Sequence, residues 1–167
     1  VLAPAEASRP TPLDELFIDV GLGAGELGDL VRVGDLVTLR SPCIELRNGR
    51  MAGKAFDDRV AVAAIVVCLE LLRQFGHDWD VYAVATVQEE VGLRGAFTST
   101  YGVMPDVGIA LDVTFARQPG YDTAEAVDLD KGPALATGPN LHPALVRELR
   151  AVAETYEIPV QTTVSPG

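Results

Sequence analysis

Five acidic residues in three separate stretches of the chain have the types and spacing that could bind divalent cations. Asp57-Asp58 opens a long apolar run, Glu89-Glu90 follows the run from Val81 to Val87, and Asp112 ends the run from Val107 to Leu111. Carboxylates that are packed together repel each other strongly at neutral pH. If the three stretches converge, these carboxylates could share two divalent cations about 3.5–4 Å apart, which would remove that repulsion.

The two adjacent glutamates could have different roles. Successive side chains of an extended segment point in opposite directions. One of Glu89 and Glu90 can therefore bind metal while the other faces an attacking water molecule. The same geometry argues against a glycosidase, whose two carboxyl groups face each other across the substrate at about 5–9.5 Å.

Each acidic stretch also has an ordinary structural interpretation. Asp57-Asp58 can cap the helix that follows it, Glu89-Glu90 can be a solvated strand end, and Asp112 can be a turn residue. Lys54 and Arg59 flank Asp57 and are expected to pair with nearby acids. Only the combination of all three stretches at element ends favours a metal site.

Helices and strands are predicted to alternate after Lys54. Helices are expected over residues 57–75, 92–101 and 141–156, and strands over residues 81–87, 107–111 and 158–164. The first helix is apolar around most of its circumference, so we expect it to be buried. This alternation predicts an α/β sheet with helices on its faces, and reactive groups in such sheets gather beyond the carboxyl ends of the strands.

Composition narrows the possible partners. The 167 residues include 13 basic and 24 acidic residues, which gives a formal charge of −11. This charge argues against nucleic acid as a partner, because phosphate binding needs clustered Lys and Arg. No apolar stretch is long enough for a membrane span. Two cysteines are too few for a disulfide framework, which favours reduced thiols and a cytoplasmic location.

The first fifty residues differ in character from the rest. They are rich in Gly and Pro, and short apolar runs such as Leu16 to Ile18 and Leu36 to Leu39 predict a small β-rich module, with one or two helical turns near residues 26–31. The chain begins without Met and stops at Gly167 just after a strand-like run. We therefore interpret it as part of a longer protein.

Three local motifs are specific to one family. They are Gly53-Lys54-Ala55-Phe56-Asp57-Asp58-Arg59, then the run from Val87 to Ala96 that contains Gln-Glu-Glu-Val-Gly-Leu-Arg-Gly, and then Ala110-Leu111-Asp112-Val113-Thr114. In this order they closely resemble the tetrahedral aminopeptidases, which are two-metal peptidases of clan MH. Members are also called glutamyl or deblocking aminopeptidases, and some are called endoglucanases.

The resemblance implies a cytosolic metallo-aminopeptidase that removes N-terminal residues from peptides with two zinc or cobalt ions. Asp57 would bridge the metals, Glu90 and Asp112 would each bind one of them, and Glu89 would be the general base. Asp58 and Arg59 would support the site, and the peptide bond between Asp57 and Asp58 would be cis.

The resemblance also implies an architecture. Residues 51–167 would belong to a catalytic three-layer α/β sandwich with a mixed, mostly parallel sheet. Residues 1–50 would belong to a small inserted β-barrel used for dimerisation. Dimers would assemble into homo-oligomers as large as dodecamers.

Two metal ligands of the family pattern have no counterpart in this sequence. Both are histidines, one in a His-x-Asp motif before the inserted domain and one near the C-terminus. His77 and His142 match neither position, so the 167 residues alone are predicted to hold an incomplete site and to be inactive. Two other functions stay open, namely another two-metal amide hydrolase such as a deacylase, and a non-catalytic assembly subunit with the same fold.

Overall fold

A computed structural model describes residues 10–123 and 126–165. The chain divides into two units, residues 1–41 and residues 42–167. The three acidic motifs all lie in the second unit. The second unit begins at Pro42, so the domain boundary predicted at residue 50 lies inside this unit.

In the first unit, a 3₁₀ turn spans Leu13–Glu15 and a helix, α1, spans Ala24–Leu30. The helix confirms the turns predicted near residues 26–31. Residues 10–41 contain no strand. The assignment of the first fifty residues to a β-rich dimerisation domain thus stays a prediction.

The second unit begins with a short antiparallel hairpin. Its strands are β1 (Ile44–Glu45) and β2 (Met51–Ala52), and Asn48 in the connecting turn has a positive φ of 63°. The Arg50 guanidinium donates a hydrogen bond to the Asp130 carboxylate at 2.8 Å. This ion pair ties the hairpin to a segment eighty residues further along the chain.

The long helix α2 spans Phe56–Phe75, close to its predicted bounds. It ends at Gly76, whose positive φ of 72° suits glycine and whose N–H donates to the Leu72 carbonyl at 2.9 Å. The prediction that this helix is buried is wrong for the described part of the chain, where Ala61 is its only buried residue. Its apolar surface has no covering element among the described residues.

The strands predicted over residues 81–87 and 107–111 do not form in the described part of the chain, where neither segment pairs with another strand. Their β-branched composition fits a strand, but a strand exists only where a partner chain segment completes the ladder. The helix between them is confirmed as α3, which spans Arg94–Val103.

The last part of the unit is a parallel β-α-β arrangement. Strand β3 (Ala134–Thr137) pairs with β4 (Gln161–Val164) from Ala134 opposite Gln161 to Thr137 opposite Val164. Helix α4 (Pro143–Thr155) connects them, with Pro143 in its first turn, where the missing N–H costs nothing. The sequence predicted α4 and β4 but missed β3. Parallel pairing of this kind is typical of the α/β class.

None of the helices in the described ranges is both long enough and apolar enough to cross a membrane.

Candidate metal centre

The start of α2 presents two carboxylates with different local roles. The peptide bond between Asp57 and Asp58 is cis, as predicted, and neither residue has helical backbone angles. Asp58 Oδ1 accepts a hydrogen bond from the Ala61 N–H at 3.3 Å, as an N-cap residue does. No hydrogen bond within the described residues uses the Asp57 side chain, so Asp57 is free for a ligand role. The helix-cap interpretation therefore holds for Asp58.

The two glutamates lie in a tight turn and not in an extended segment. A 3₁₀ turn spans Glu89–Val91, and the Glu89 carbonyl accepts hydrogen bonds from the N–H groups of Gly92 at 3.1 Å and Leu93 at 2.9 Å. The expected alternation of an extended chain is therefore wrong here. Successive residues of a 3₁₀ turn are still about 120° apart around its axis, so the two carboxylates diverge.

Backbone hydrogen bonds join the residues before this turn to the residues after it. The Gly95 N–H donates to the Val87 carbonyl at 2.9 Å, and the Arg94 N–H donates to the Gln88 carbonyl at 3.3 Å. The Arg94 guanidinium also donates to Gln88 Oε1 at 3.4 Å. Sequence reasoning assigned no role to Gln88, whose positive φ of 55° is a conformation that local sequence pattern does not reveal in a glutamine.

All three acidic stretches contribute to the raised pKa of Glu89. Loss of surrounding water is the largest cause that raises the pKa of Glu89, followed by repulsion from Glu90, Asp112, Asp57 and Asp58. Glu89 is exposed, and the repulsion from four other carboxylates adds to the effect of lost water. These charges come from residues 57–58, 90 and 112.

Two of the same acids also contribute to the pKa of Asp58. Partial burial raises the pKa of Asp58, the hydrogen bond from Ala61 lowers it, and repulsion from Asp112 and Asp57 raises it again. The net direction is upward. Asp112 is thus close enough to act on both Asp58 and Glu89, although 54 and 23 positions of sequence separate it from them.

The acids suit divalent cations in type and in charge. Carboxylate oxygens bind zinc, cobalt and manganese, and a cation would relieve the repulsion that raises the pKa of Glu89. Within residues 10–123 and 126–165, however, no group of three or more His, Cys, Asp or Glu side chains is arranged to hold a metal ion. The acids are gathered without forming a complete site by themselves.

The remaining candidates take ordinary structural positions. His77 lies in the loop after α2, with Nδ1 2.6 Å from the Trp79 carbonyl oxygen. His142 directly precedes α4, and its carbonyl accepts from the Val146 N–H at 3.1 Å. Arg59 is exposed in the first turn of α2, beside the acidic pair. No salt bridge of the described residues joins Lys54 or Arg59 to an acid, so the pairing expected for them is not observed.

Comparison with known proteins identifies relatives of this chain. The profile of the M42 glutamyl aminopeptidase family matches residues 1–167. A lysyl aminopeptidase from Pyrococcus furiosus is 40% identical over 156 residues, which is 92% of this chain and 44% of that protein. A glutamyl aminopeptidase from Lactococcus lactis subsp. cremoris is 37% identical over 101 residues, which is 60% of this chain and 27% of that protein.

A solved structure is similar over the whole chain. It is a TET aminopeptidase from a marine sediment archaeon of the Thaumarchaeota, with a TM-score of 0.85 and 36% sequence identity, covering 100% of this chain and 49% of that chain. This similarity confirms the α/β class. The chain spans about half the length of the lysyl aminopeptidase and of the TET aminopeptidase that it matches. With the family profile matched from end to end, the chain belongs to the M42 glutamyl aminopeptidase family.

Proposed function

We propose that the protein, in its full-length form, is a metal-dependent aminopeptidase that removes N-terminal residues from peptides. The observation that supports this most strongly is the match of the M42 glutamyl aminopeptidase family to residues 1–167. The carboxylates of three separate stretches that contribute to the raised pKa of Glu89 support the same activity. Relatives named for lysine and for glutamate suggest that the preferred N-terminal residue differs between members.

In this proposal Asp57, Glu90 and Asp112 would hold two divalent cations, zinc or cobalt. Bound cations would supply an acidified water molecule and polarise the scissile carbonyl. Glu89 accepts the proton of the attacking water and delivers it to the leaving amine.

Asp58 and Arg59 support the site from the start of α2. Asp58 fixes the first turn of the helix through Ala61 and so orients Asp57. We also propose that residues 51–167 contribute to a three-layer sandwich and residues 1–50 to an inserted β-barrel. The full protein would be cytoplasmic and assemble as a homo-oligomer, from dimer to dodecamer.

Ligand number limits what the 167 residues can do alone. Metal affinity depends on the count and geometry of the ligands, and neither histidine of this chain matches a ligand position. We therefore propose that these residues alone bind metal weakly and are inactive.

Hydrolysis of aminoacyl-p-nitroanilides by the full-length protein with added zinc or cobalt tests the activity. Replacing Glu89 with Gln should lower kcat at least about 100-fold, because it removes general-base catalysis. Glu148→Gln, on the exposed surface of α4, is the matched control and should leave kcat unchanged. Wild-type rates in Glu89→Gln would remove Glu89 from the mechanism. Release of acetate from N-acetylated substrates would indicate a deacylase.

A further inference from the structure

Gly95 occupies a place in the structure that has no room for a side chain. It is one of the few buried residues in the described part of the chain, at the start of α3. A Cβ added to it would collide with the backbone nitrogen of Val87 and lie 2.6 Å from the Val87 carbonyl oxygen. It would also lie 3.1 Å from the Thr86 carbonyl carbon. These are backbone atoms, so no rotation of a flexible side chain can relieve the contact.

The segment that this contact closes carries both glutamates. Gly95 donates its N–H to the Val87 carbonyl at 2.9 Å, and Glu89 and Glu90 lie in the turn between these two residues. The close approach of Gly95 to Val87 fixes both ends of the turn. Because the turn is short and internally hydrogen bonded, a shift at either end moves the two carboxylates.

We propose that Gly95 is a positioning residue, which fixes the placement of Glu89 and Glu90 by allowing α3 to begin in backbone contact with Val87. This inference rests on the proposed function. Gly95 itself touches neither substrate nor metal. Its effect reaches the reaction only through the placement of the two glutamates.

Two alanine substitutions in the same helix separate positioning from general effects on α3. Gly95→Ala introduces the collision with Val87. Gly102→Ala is the matched control, because a Cβ there meets nothing within 4 Å and Ala favours helix over Gly. In the full-length protein we expect Gly95→Ala to lower kcat by about 100-fold with little change in KM, since a displacement of about 1 Å can have an effect of this size.

Zinc binding, measured by calorimetry, is the second readout. Gly95→Ala should weaken zinc affinity by about 10- to 100-fold, the range found when a supporting contact of a metal ligand is lost. Gly102→Ala should retain the wild-type affinity and kcat. If Gly95→Ala yields no folded protein, Gly92→Ala decides. Its Cβ would lie in open space, but its φ of 111° strains an alanine in the same turn, so losses in the same direction should be smaller.

The possible results have distinct meanings. A folded Gly95→Ala protein that has a lower melting temperature but wild-type kcat and zinc affinity would overturn the positioning role and leave the proposed function intact. If the first variant does not fold, wild-type kcat and zinc affinity in Gly92→Ala would do the same. Wild-type protein that neither binds zinc nor cleaves the substrates would overturn the proposed function and this inference with it.

Discussion

Opposing influences act on the pKa of the Asp58 carboxyl group. The hydrogen bond from Ala61 favours its charged form, whereas partial burial and the nearby Asp112 and Asp57 disfavour it. The unfavourable influences prevail and the pKa rises. The sequence could predict the helix-capping role, because an aspartate before an apolar run is a local signal. It could not give the influence of Asp112, which depends on how distant segments fold together.

A single substitution should reveal this long-range repulsion. In the metal-free full-length protein, Asp112→Asn removes one negative charge and should lower the pKa of Glu89, so that Glu89 ionises at a lower pH than in the wild type. NMR titration of carboxyl-labelled glutamate measures the change. Asp106→Asn is the control, since Asp106 is not among the charges that act on Glu89. An unchanged Glu89 titration in Asp112→Asn would mean that the two residues are not neighbours.

At the scale of elements, the helices could be predicted from local sequence signals. The strands depend on pairing between distant segments, which local sequence does not reveal. Helices α2, α3 and α4 form close to the ranges that the local sequence predicts, residues 57–75, 92–101 and 141–156. Strand β3 was missed because Ala134–Thr137 has little β-branched character, and its pairing with β4 makes it a strand. Segments 81–87 and 107–111 have the opposite property, with strand-like composition and no partner among the described residues.

Gln161 stabilises the β3–β4 pair in a way that can be measured. Its Oε1 accepts from the Asp128 N–H at 2.8 Å, and its Nε2 donates to the carbonyls of Asp128 at 2.9 Å and Gly132 at 3.2 Å. Gln161→Ala should lower the free energy of unfolding by about 1–3 kcal/mol, because it removes all three hydrogen bonds. Denaturant unfolding of the full-length protein gives the value.

Gln161→Glu is the matched variant for this position. It keeps the acceptor for the Asp128 N–H but loses both donors and places a negative charge beside two carbonyl oxygens. It should therefore also destabilise the protein, and faster hydrogen exchange in β3 and β4 should accompany the loss in both variants. If both variants unfold like the wild type, these hydrogen bonds do not support the strand pair.

At the scale of the whole molecule, the exposed surface is the dominant feature. Most of the large apolar side chains among the described residues are exposed. The buried apolar residues among the described ones are Ala61, Ala126 and Ala153, all of them small. Such burial contributes little against the conformational entropy lost on folding. We therefore expect a stable fold to require contacts that cover these exposed apolar side chains.

This surface predicts the behaviour of residues 1–167 when they are produced alone. They should show no cooperative thermal transition in near-ultraviolet circular dichroism and should bind a hydrophobic dye, because their apolar faces lack cover. The full-length protein should melt cooperatively under the same conditions. A sharp, reversible transition of the isolated 167 residues would contradict this view of where the stability comes from.

The central claim is that carboxylates from three separate stretches hold two cations in one site. A crystal structure of the full-length protein grown with zinc, with anomalous scattering at the zinc edge, tests this claim most directly. We predict two anomalous peaks about 3.5–4 Å apart, with Asp57 between them, Glu90 on one ion and Asp112 on the other. Zinc bound elsewhere while these three carboxylates carry no ion would contradict the account.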